Sequence, residues 1–239
     1  MEGRRRRTPP TVTPPSTNPV ATRPAVASAP PLYPLTSGPA NEPVTVVHLA
    51  AELAPFARTG GLGEAVSSLA HYQARSGITS IIMMPLYRQV FDVVADLEPV
   101  GDAFPVQVGP RREEGRLFES RALMDNPRQG KPRILFIHNA EYFGREHIYG
   151  DSRGDYRDNH RRFAFFCLAA LNVLPTVAKA PVLLHAHDWH AALAPIYLRA
   201  YDSHPDREFY RRTSSVLTVH NAGFQGHFPT EVMAELGQK

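Results

Sequence analysis

The sequence predicts an α/β fold in which a parallel sheet carries helices on both faces. A β-branched apolar run at 44–51 leads through a glycine turn into a run with helical periodicity at 64–76. Further apolar strands then alternate with helical segments, which is typical of right-handed βαβ crossovers and a buried parallel sheet. Three turns that carry glycine or histidine each follow a predicted strand. Such turns are expected to line a ligand crevice at the carboxyl ends of the strands.

The predicted elements can be justified one after another. The first helix repeats Val66, Leu69, Ala70 and Gln73 at intervals of three and four residues and ends at Gly77. The segment 158–177 is predicted to be a long helix, since apolar residues recur there with helical spacing. The other predicted elements are strands at 79–84, 104–108, 116–123, 133–138, 181–187 and 216–219, and a helix at 189–201.

The first 43 residues differ from the rest of the chain in composition. They contain eleven of the 23 prolines and one aromatic residue, Tyr33. Such a segment buries too little apolar surface to offset its ordering entropy, so residues 1–43 are predicted to be a disordered arm rich in Pro and Arg. The folded domain is predicted to span residues 44–239.

The charge balance argues against a nucleic-acid partner. The arm has five arginines and two glutamates, a balance of +3 that equals the formal net charge of the whole chain. The remaining residues therefore have as many basic as acidic side chains, and the predicted domain has no basic footprint.

The sequence also lacks the signals of several other classes of protein. No run approaches the roughly 18–20 apolar residues of a membrane span, and the arginines at the N-terminus precede no apolar signal region. Cys167 is the single cysteine, which excludes an internal disulfide and any multi-cysteine metal site. It lies among apolar residues and is predicted to be a small buried hydrophobe. These features favour a cytoplasmic protein with no membrane partner.

The turn at 58–63, Arg-Thr-Gly-Gly-Leu-Gly, lies between the first strand and the first helix. Strand, glycine turn and helix together place backbone N–H groups and the positive helix end in one crevice. We therefore predict that this turn binds phosphate or sugar oxygens, although two adjacent glycines can also simply form a tight turn.

The second motif, His-Ala-His-Asp-Trp-His at 185–190, is open to three interpretations. Imidazoles and a carboxylate can bind zinc, with His185, His187 and His190 as the ligands of a metal hydrolase. The histidines can instead be buried and hydrogen-bonded at a strand end. They can also recognise sugar or phosphate, since a neutral imidazole can donate to a hydroxyl group.

Two other kinds of catalytic site find little support. Ser67 and Ser68 fall inside the first predicted helix and lack the Gly-x-Ser-x-Gly elbow of a hydrolase nucleophile. No pair of carboxylates of the glycoside hydrolase kind can be singled out among Glu52, Glu64, Glu141 and Asp158.

Taken together, three separated motifs resemble the N-terminal catalytic domain of bacterial glycogen synthases and plant starch synthases. They are the strand and turn from Val47 to Leu62, the motif from His185 to Ala191, and Thr218-Val219-His220-Asn221 with Gln225, Gly226 and Phe228. Their order and spacing agree over residues 44–229.

This resemblance implies the first of the two facing Rossmann-like halves of a GT-B glycosyltransferase. The implied reaction is retaining transfer of glucose from ADP-glucose, or from UDP-glucose in some relatives, to the non-reducing end of an α-1,4-glucan. It implies no metal and no cofactor beyond the sugar nucleotide.

The resemblance also implies roles for individual residues. His190 is the implied catalytic residue beside the glucosyl group, and Arg58, Gly60 and Gly61 are the implied donor-binding residues. Three more are implied to lie near the sugar: Glu64, His220 and Asn221. Arg58 stands where the family has Lys, and Glu64 where it has Asp. The first exchange keeps the charge with a planar, bulkier group, and the second adds a methylene.

The resemblance further implies a C-terminal domain required for activity, which is expected to be missing from these 239 residues. The sheet is accordingly expected to be incomplete at its C-terminal end, with an exposed edge or apolar face, and the chain alone to be inactive. Two alternatives remain: a non-catalytic glucan-binding module, and another sugar-nucleotide glycosyltransferase of the same architecture.

Overall fold

The computed structural model describes residues 42–120, 123 and 130–237. The predicted arm therefore lies outside the described residues, apart from a short non-helical lead-in to the first strand. The strands are β1 (Thr45–Leu49), β2 (Thr79–Pro85), β3 (Leu97–Pro99), β4 (Phe104–Val108), β5 (Arg111–Ser120), β6 (Arg133–His138), β7 (Gly150–Asp151), β8 (Gly154–Asp155), β9 (Val182–His187) and β10 (Thr213–Thr218). The helices are α1 (Leu62–Arg75), α2 (Ala140–Phe143), α3 (Asn159–Val177), α4 (Asp188–Ala191), α5 (Ala194–Leu198) and α6 (Arg207–Arg211), with 3-10 turns at Arg88–Asp92, Arg199–Ser203 and Thr230–Leu236.

The α/β prediction is confirmed, but the sheet is mixed and not wholly parallel. Its strand order is β10-β9-β1-β2-β6-β5-β3, and β4 pairs with β5 outside this path. The five strands from β10 to β6 are parallel, whereas β5 is antiparallel to both β6 and β3. The antiparallel part begins with a tight hairpin between β4 and β5, where Gly109 has a φ of 53°. A two-residue turn of this kind can only join antiparallel strands.

The chain reverses its direction of travel across the sheet between β1 and β9. From β1 it moves outward through β2 and β6, then returns to place β9 on the other side of β1 and β10 beyond it. With right-handed crossovers, these opposite steps put α1 on one face of the sheet and α3 on the other. The carboxyl ends of β1 and β9 therefore form a topological switch point, where open α/β sheets bind their ligands.

The core is built on the buried central strands and on α3. All five residues of β1 are buried, and β2 is buried from Ser80 onward. Within α3, Phe165, Ala169 and Leu171 are fully buried, and Leu168 is partly buried. The long predicted helix at 158–177 is thus confirmed to within one residue, since Asp158 directly precedes the first helical residue.

The predicted continuous helix at 189–201 is wrong. The structure has two short helices, α4 and α5, followed by a 3-10 turn. Pro195 explains the interruption, because it has no N–H to donate to the carbonyl of Ala191. The elements β3, α2, β7, β8 and α6 are too short for periodicity to detect, and β5 begins five residues before the predicted strand.

One end of the sheet is exposed, as expected. Within the described residues, β10 pairs only with β9, and its Val216 and Leu217 are 45% and 44% exposed. No helix of the described part of the chain is long and apolar enough to cross a membrane.

Candidate active site

The three turns identified in the sequence meet at one rim of the sheet. β1 lies between β2 and β9, and β9 lies between β1 and β10. The register pairs His48 with His185, Leu49 with Ala186, and Thr218 with His187. The segments that follow β1, β9 and β10 therefore leave the sheet at the same level.

The glycine turn is anchored by Glu52, a buried residue just after β1. One oxygen of its carboxylate accepts hydrogen bonds from the backbone N–H groups of Thr59, at 2.8 Å, and Gly60, at 3.2 Å. The other accepts from the hydroxyl groups of Thr59, at 2.9 Å, and Tyr149, at 2.7 Å. Four donors thus converge on one carboxylate, which fixes the turn relative to β1 and to the segment before β7.

Gly60 and Gly61 face open space. A Cβ atom at either position would meet no atom within 4 Å, and neither residue has a positive φ. By contrast, a Cβ at Gly63 would lie 3.0 Å from the backbone N of Ala54. Packing within this chain therefore favours glycine at position 63, and it sets no such preference at positions 60 and 61.

Arg58 in the glycine turn and Glu64 in the first turn of α1 contact each other. The guanidinium of Arg58 forms an ion pair with the carboxylate of Glu64, and both side chains are more than half exposed. A pair this exposed contributes little to stability. Both groups remain free to exchange partners with a ligand at the start of α1.

His190 lies in an aromatic pocket beneath the rim and is 7% exposed. Its ring stacks on Tyr149, with centroids 4.7 Å apart, and meets the edge of Phe163 at 4.7 Å. Burial, with a smaller contribution from the nearby charge of Arg162, lowers the pKa of His190 to about 3. The imidazole is therefore neutral at physiological pH, and its Nδ1 has no hydrogen-bond partner among the described residues.

Tyr149 joins the first two turns. Its hydroxyl donates to Glu52 while its ring stacks on His190, so one side chain spans the distance between the glycine turn and the motif after β9. The fully buried Arg162 holds the segment that leads to Tyr149. Its Nε donates to the carbonyl of Tyr142, at 2.7 Å, and its Nη1 to that of Ile148, at 2.9 Å.

Asp188 connects the second turn to the third. It has a φ of 57°, a left-handed conformation that Asp tolerates better than most residues. Its Oδ1 accepts a hydrogen bond from the backbone N–H of His220 at 2.6 Å. Asn221 is exposed, and its side-chain oxygen accepts from the backbone N–H of Gly223 at 2.9 Å. This Asx turn bends the chain just after His220.

The histidines next to the rim form a group of their own. Ligand nitrogens of His48, His185 and His187 all lie within 4.8 Å of one another. His190 is not part of this group, so the predicted trio of His185, His187 and His190 is not what the fold brings together. Nδ1 of His48 lies 3.0 Å from Nε2 of His187, so these two imidazoles already bond to each other. That bond favours the hydrogen-bonded interpretation of the motif over the metal one, and the absence of a metal remains a prediction.

The structure links the three turns that carry the predicted site residues through side chains that were not predicted. Arg58, Gly60 and Gly61 lie on the turn after β1, and Glu64 lies in the first turn of α1. His190 and His220 follow β9 and β10. Glu52, Tyr149 and Asp188 were not predicted as site residues. Glu52 carries a usable signal, since it is a carboxylate placed between a buried strand and a glycine turn. Tyr149 carries none, because it reaches Glu52 across 97 residues of sequence.

Comparison with known proteins agrees with this architecture. A family model described as the starch synthase catalytic domain matches residues 45–239. A glycogen synthase 2 of Geobacter sulfurreducens is 38% identical over 192 residues, which cover 80% of this chain and 38% of that protein. A glycogen synthase of Syntrophotalea carbinolica is 37% identical over 194 residues, with 81% and 38% covered.

A solved structure shows the same fold. The catalytic domain of starch synthase IV from Arabidopsis thaliana, bound to ADP and acarbose, matches with a TM-score of 0.67 and 28% identity. The match covers 83% of this chain and 38% of that one, so the chain spans well under half the length of these relatives. The chain belongs to the starch synthase catalytic domain family, whose curated relatives include glycogen synthases.

Proposed function

We propose that this chain forms one side of the active site of a retaining glucosyltransferase. The reaction is transfer of glucose from ADP-glucose to the non-reducing end of a growing α-1,4-glucan. The proposal rests on one observation. This chain belongs to the starch synthase catalytic domain family, and its glycine turn, held by Glu52, meets His190 and His220 at the switch point between β1 and β9.

The glycine turn suits the donor diphosphate. Gly60 and Gly61 leave space for close approach to the backbone, and the first N–H groups of α1 have no partner within their own helix. Arg58 adds a positive charge at the same place once its guanidinium leaves Glu64. The solved relative that binds ADP supports a nucleotide diphosphate as the ligand.

His190 suits the sugar. As a neutral imidazole it has one donor and one acceptor nitrogen, which matches a sugar hydroxyl. A pKa of about 3 prevents it from acting as a proton donor at neutral pH, so its proposed role is to orient the glucosyl group. Glu64, His220 and Asn221 are proposed to lie around the same sugar. The proposal requires no metal and no cofactor besides the sugar nucleotide.

Binding by the chain as it stands tests the proposal. The 15N-labelled protein is titrated with ADP-glucose, UDP-glucose and maltoheptaose while NMR follows the backbone amides and the histidine rings. ADP-glucose is expected to shift the amides of Thr59, Gly60 and Gly61 and the ring of His190. His71 lies in the C-terminal half of α1 and serves as the internal control, because the NMR signals of its ring should not shift.

Other results would replace the proposal. Shifts with maltoheptaose and with neither sugar nucleotide would identify a non-catalytic glucan-binding module. Stronger shifts with UDP-glucose than with ADP-glucose would identify a different donor. Glucan elongation is expected to be undetectable with these 239 residues, which span 38% of the matched relatives, and incorporation of labelled glucose would contradict that expectation.

A further inference from the structure

A file of hydrogen-bonded side chains runs from the end of α1 to the rim. Oε1 of Gln73 lies 2.8 Å from Nε2 of His48, and Nδ1 of His48 lies 3.0 Å from Nε2 of His187. Nδ1 of His187 lies 2.9 Å from Nε2 of His220. His48 and His187 are fully buried, whereas His220 is exposed at the rim. The file therefore connects the interior of the domain to the proposed sugar site.

The hydrogen bonds in this file must all point the same way. Burial lowers the pKa of His48 to about 4 and that of His187 to about 2, so both rings are neutral at physiological pH. A neutral imidazole has one N–H and one lone pair on its two ring nitrogens. A ring that donates from one nitrogen must therefore accept at the other, and the direction chosen at one end is transmitted to the other end.

The orientation of the Gln73 amide, with its oxygen toward Nε2 of His48, sets this direction. This oxygen can only accept, so Nε2–H of His48 donates to Gln73 and Nδ1 of His48 accepts from Nε2–H of His187. Nδ1 of His187 in turn accepts from Nε2–H of His220, which leaves a lone pair on Nδ1 of His220.

The fold holds the backbone at both ends of the file. Gln73 lies in the last turn of α1, and its backbone carbonyl accepts from the N–H groups of Ser76 and Ile78. At the other end, Asp188 holds the backbone N–H of His220 at 2.6 Å. His185 packs beside the file, with its ring centroid 4.1 Å from that of His187, but its Nε2 pairs with the hydroxyl of Thr218 and takes no part in the file.

We propose that Gln73 is a positioning residue that fixes the tautomer of His220 through His48 and His187, so that Nδ1 of His220 is a hydrogen-bond acceptor at the rim. The ligand group that matches it is a hydroxyl donor, and its assignment to a sugar rests on the proposed function. If the file pointed the other way, His220 would present an N–H group and would favour an acceptor oxygen instead.

Two substitutions at position 73 test the direction. Gln73→Glu places an acceptor at the end of the file, and Gln73→Lys places a donor there. Long-range 1H–15N NMR spectra of the 15N-labelled chain at about pH 8, above the ordinary imidazole pKa of about 6.5, identify which ring nitrogen carries the proton. The parent chain and Gln73→Glu are expected to show His220 protonated at Nε2, and Gln73→Lys to show it protonated at Nδ1.

His71 provides the internal control. It lies on the same helix, and its Nδ1–H donates to the carbonyl of Ser67 at 2.8 Å, outside the file. Its tautomer should be the same in all variants. A purely structural role for Gln73 would change stability and leave the tautomer of His220 as it is in the parent chain.

Several outcomes would overturn the proposal. One is a parent chain with the His220 proton on Nδ1, and another is a folded Gln73→Lys chain with the proton still on Nε2. If Gln73→Lys does not fold, Gln73→Leu takes its place. It removes the acceptor and is expected to give a mixture of both tautomers of His220, whereas an unchanged single tautomer would refute the proposal. None of these readouts involves sugar binding, so failure to bind ADP-glucose would count against the proposed function alone.

Discussion

Neither the packing nor the backbone conformation of this chain requires glycine at positions 60 and 61. A glycine is required where a Cβ would collide or where φ is positive, and neither condition holds at these two positions. The space that they leave open lies between Arg58 and the start of α1, at the proposed diphosphate position. Their importance is therefore expected to show in ligand binding and not in folding.

Gly60→Ala is the direct test of this distinction. The substitution should change the free energy of unfolding by no more than about 0.5 kcal/mol, because nothing within 4 Å opposes the new methyl group. It should weaken the ADP-glucose-induced shifts at Thr59 and Gly61, since the methyl group occupies the approach to the backbone. Urea unfolding and the NMR titration give the two readouts.

Gly63→Ala is the matched control with the opposite expectation. Its Cβ would lie 3.0 Å from the backbone N and 3.2 Å from other backbone atoms of the 53–54 segment, so the backbone must shift. We expect a loss of about 1–3 kcal/mol of stability. Equal stability of the two variants would refute the assignment of separate roles to these glycines.

At this scale, the sequence reveals residues that act locally and misses those that act across the fold. Arg58, Gly60 and His190 belong to motifs that lie next to predicted strands, and the resemblance to a known family implied their roles. Gln73 and His48 became site-related only through a file whose central bond joins residues 139 positions apart. No spacing rule in a single sequence encodes such a pairing.

At the scale of elements, the strands at the switch point were predictable because each is a short apolar run that ends at residues typical of turns. β4 and β6 match their predicted bounds, and β2 is one residue longer than predicted, since Pro85 still pairs with Ile137. The antiparallel direction of β5 was missed because the predicted strand began at 116, which hid the two-residue turn that joins β4 to β5. The break between α4 and α5 was predictable from Pro195, which the periodicity argument ignored.

The exposed edge of β10 leads to a prediction about association between copies of this chain. Its exposed Val216 and Leu217 flank an edge that no described strand covers, and such edges pair with other chains. Leu217→Lys should therefore reduce concentration-dependent light scattering and change the unfolding free energy by no more than about 0.5 kcal/mol.

Tyr72→Lys is the control for this change. Tyr72 is 65% exposed on α1, away from β10, so the variant introduces the same charge at a remote apolar site. Scattering should stay near the parent level in this variant. Equal reductions in both variants would show that net charge, and not the edge of β10, controls association.

For the whole molecule, the buried imidazoles link stability to pH. The pKa is lowered to about 4 for His48, about 3 for His190 and about 2 for His187, in each case mainly by burial. In the unfolded chain these groups titrate near 6.5. Below that pH the unfolded chain takes up protons that the folded chain does not, so acidification favours unfolding.

Urea unfolding at pH 7.5 and pH 5 measures this effect. Each of the three histidines is expected to contribute about 1–2 kcal/mol of lost stability over this interval. Lowered carboxyl pKa values, as at Asp158 and Glu235, contribute only below about pH 4.5 and fall outside the window. His190→Phe should reduce the loss by about 1–2 kcal/mol, whereas replacing the exposed His227 by Gln should leave it nearly unchanged. A stability that stays constant down to pH 5 would contradict the buried, neutral assignment.

The buried thiol of Cys167 can report local opening of the structure near His190. Its thiol is fully buried, burial raises its pKa to about 12, and its Sγ donates to the carbonyl of His190 at 3.5 Å. A thiol reagent can react only when this layer opens far enough to admit it. Because the chain has no second cysteine, the rate of thiol labelling would report how often the structure opens locally around Cys167 and His190. No substitution is needed for this measurement.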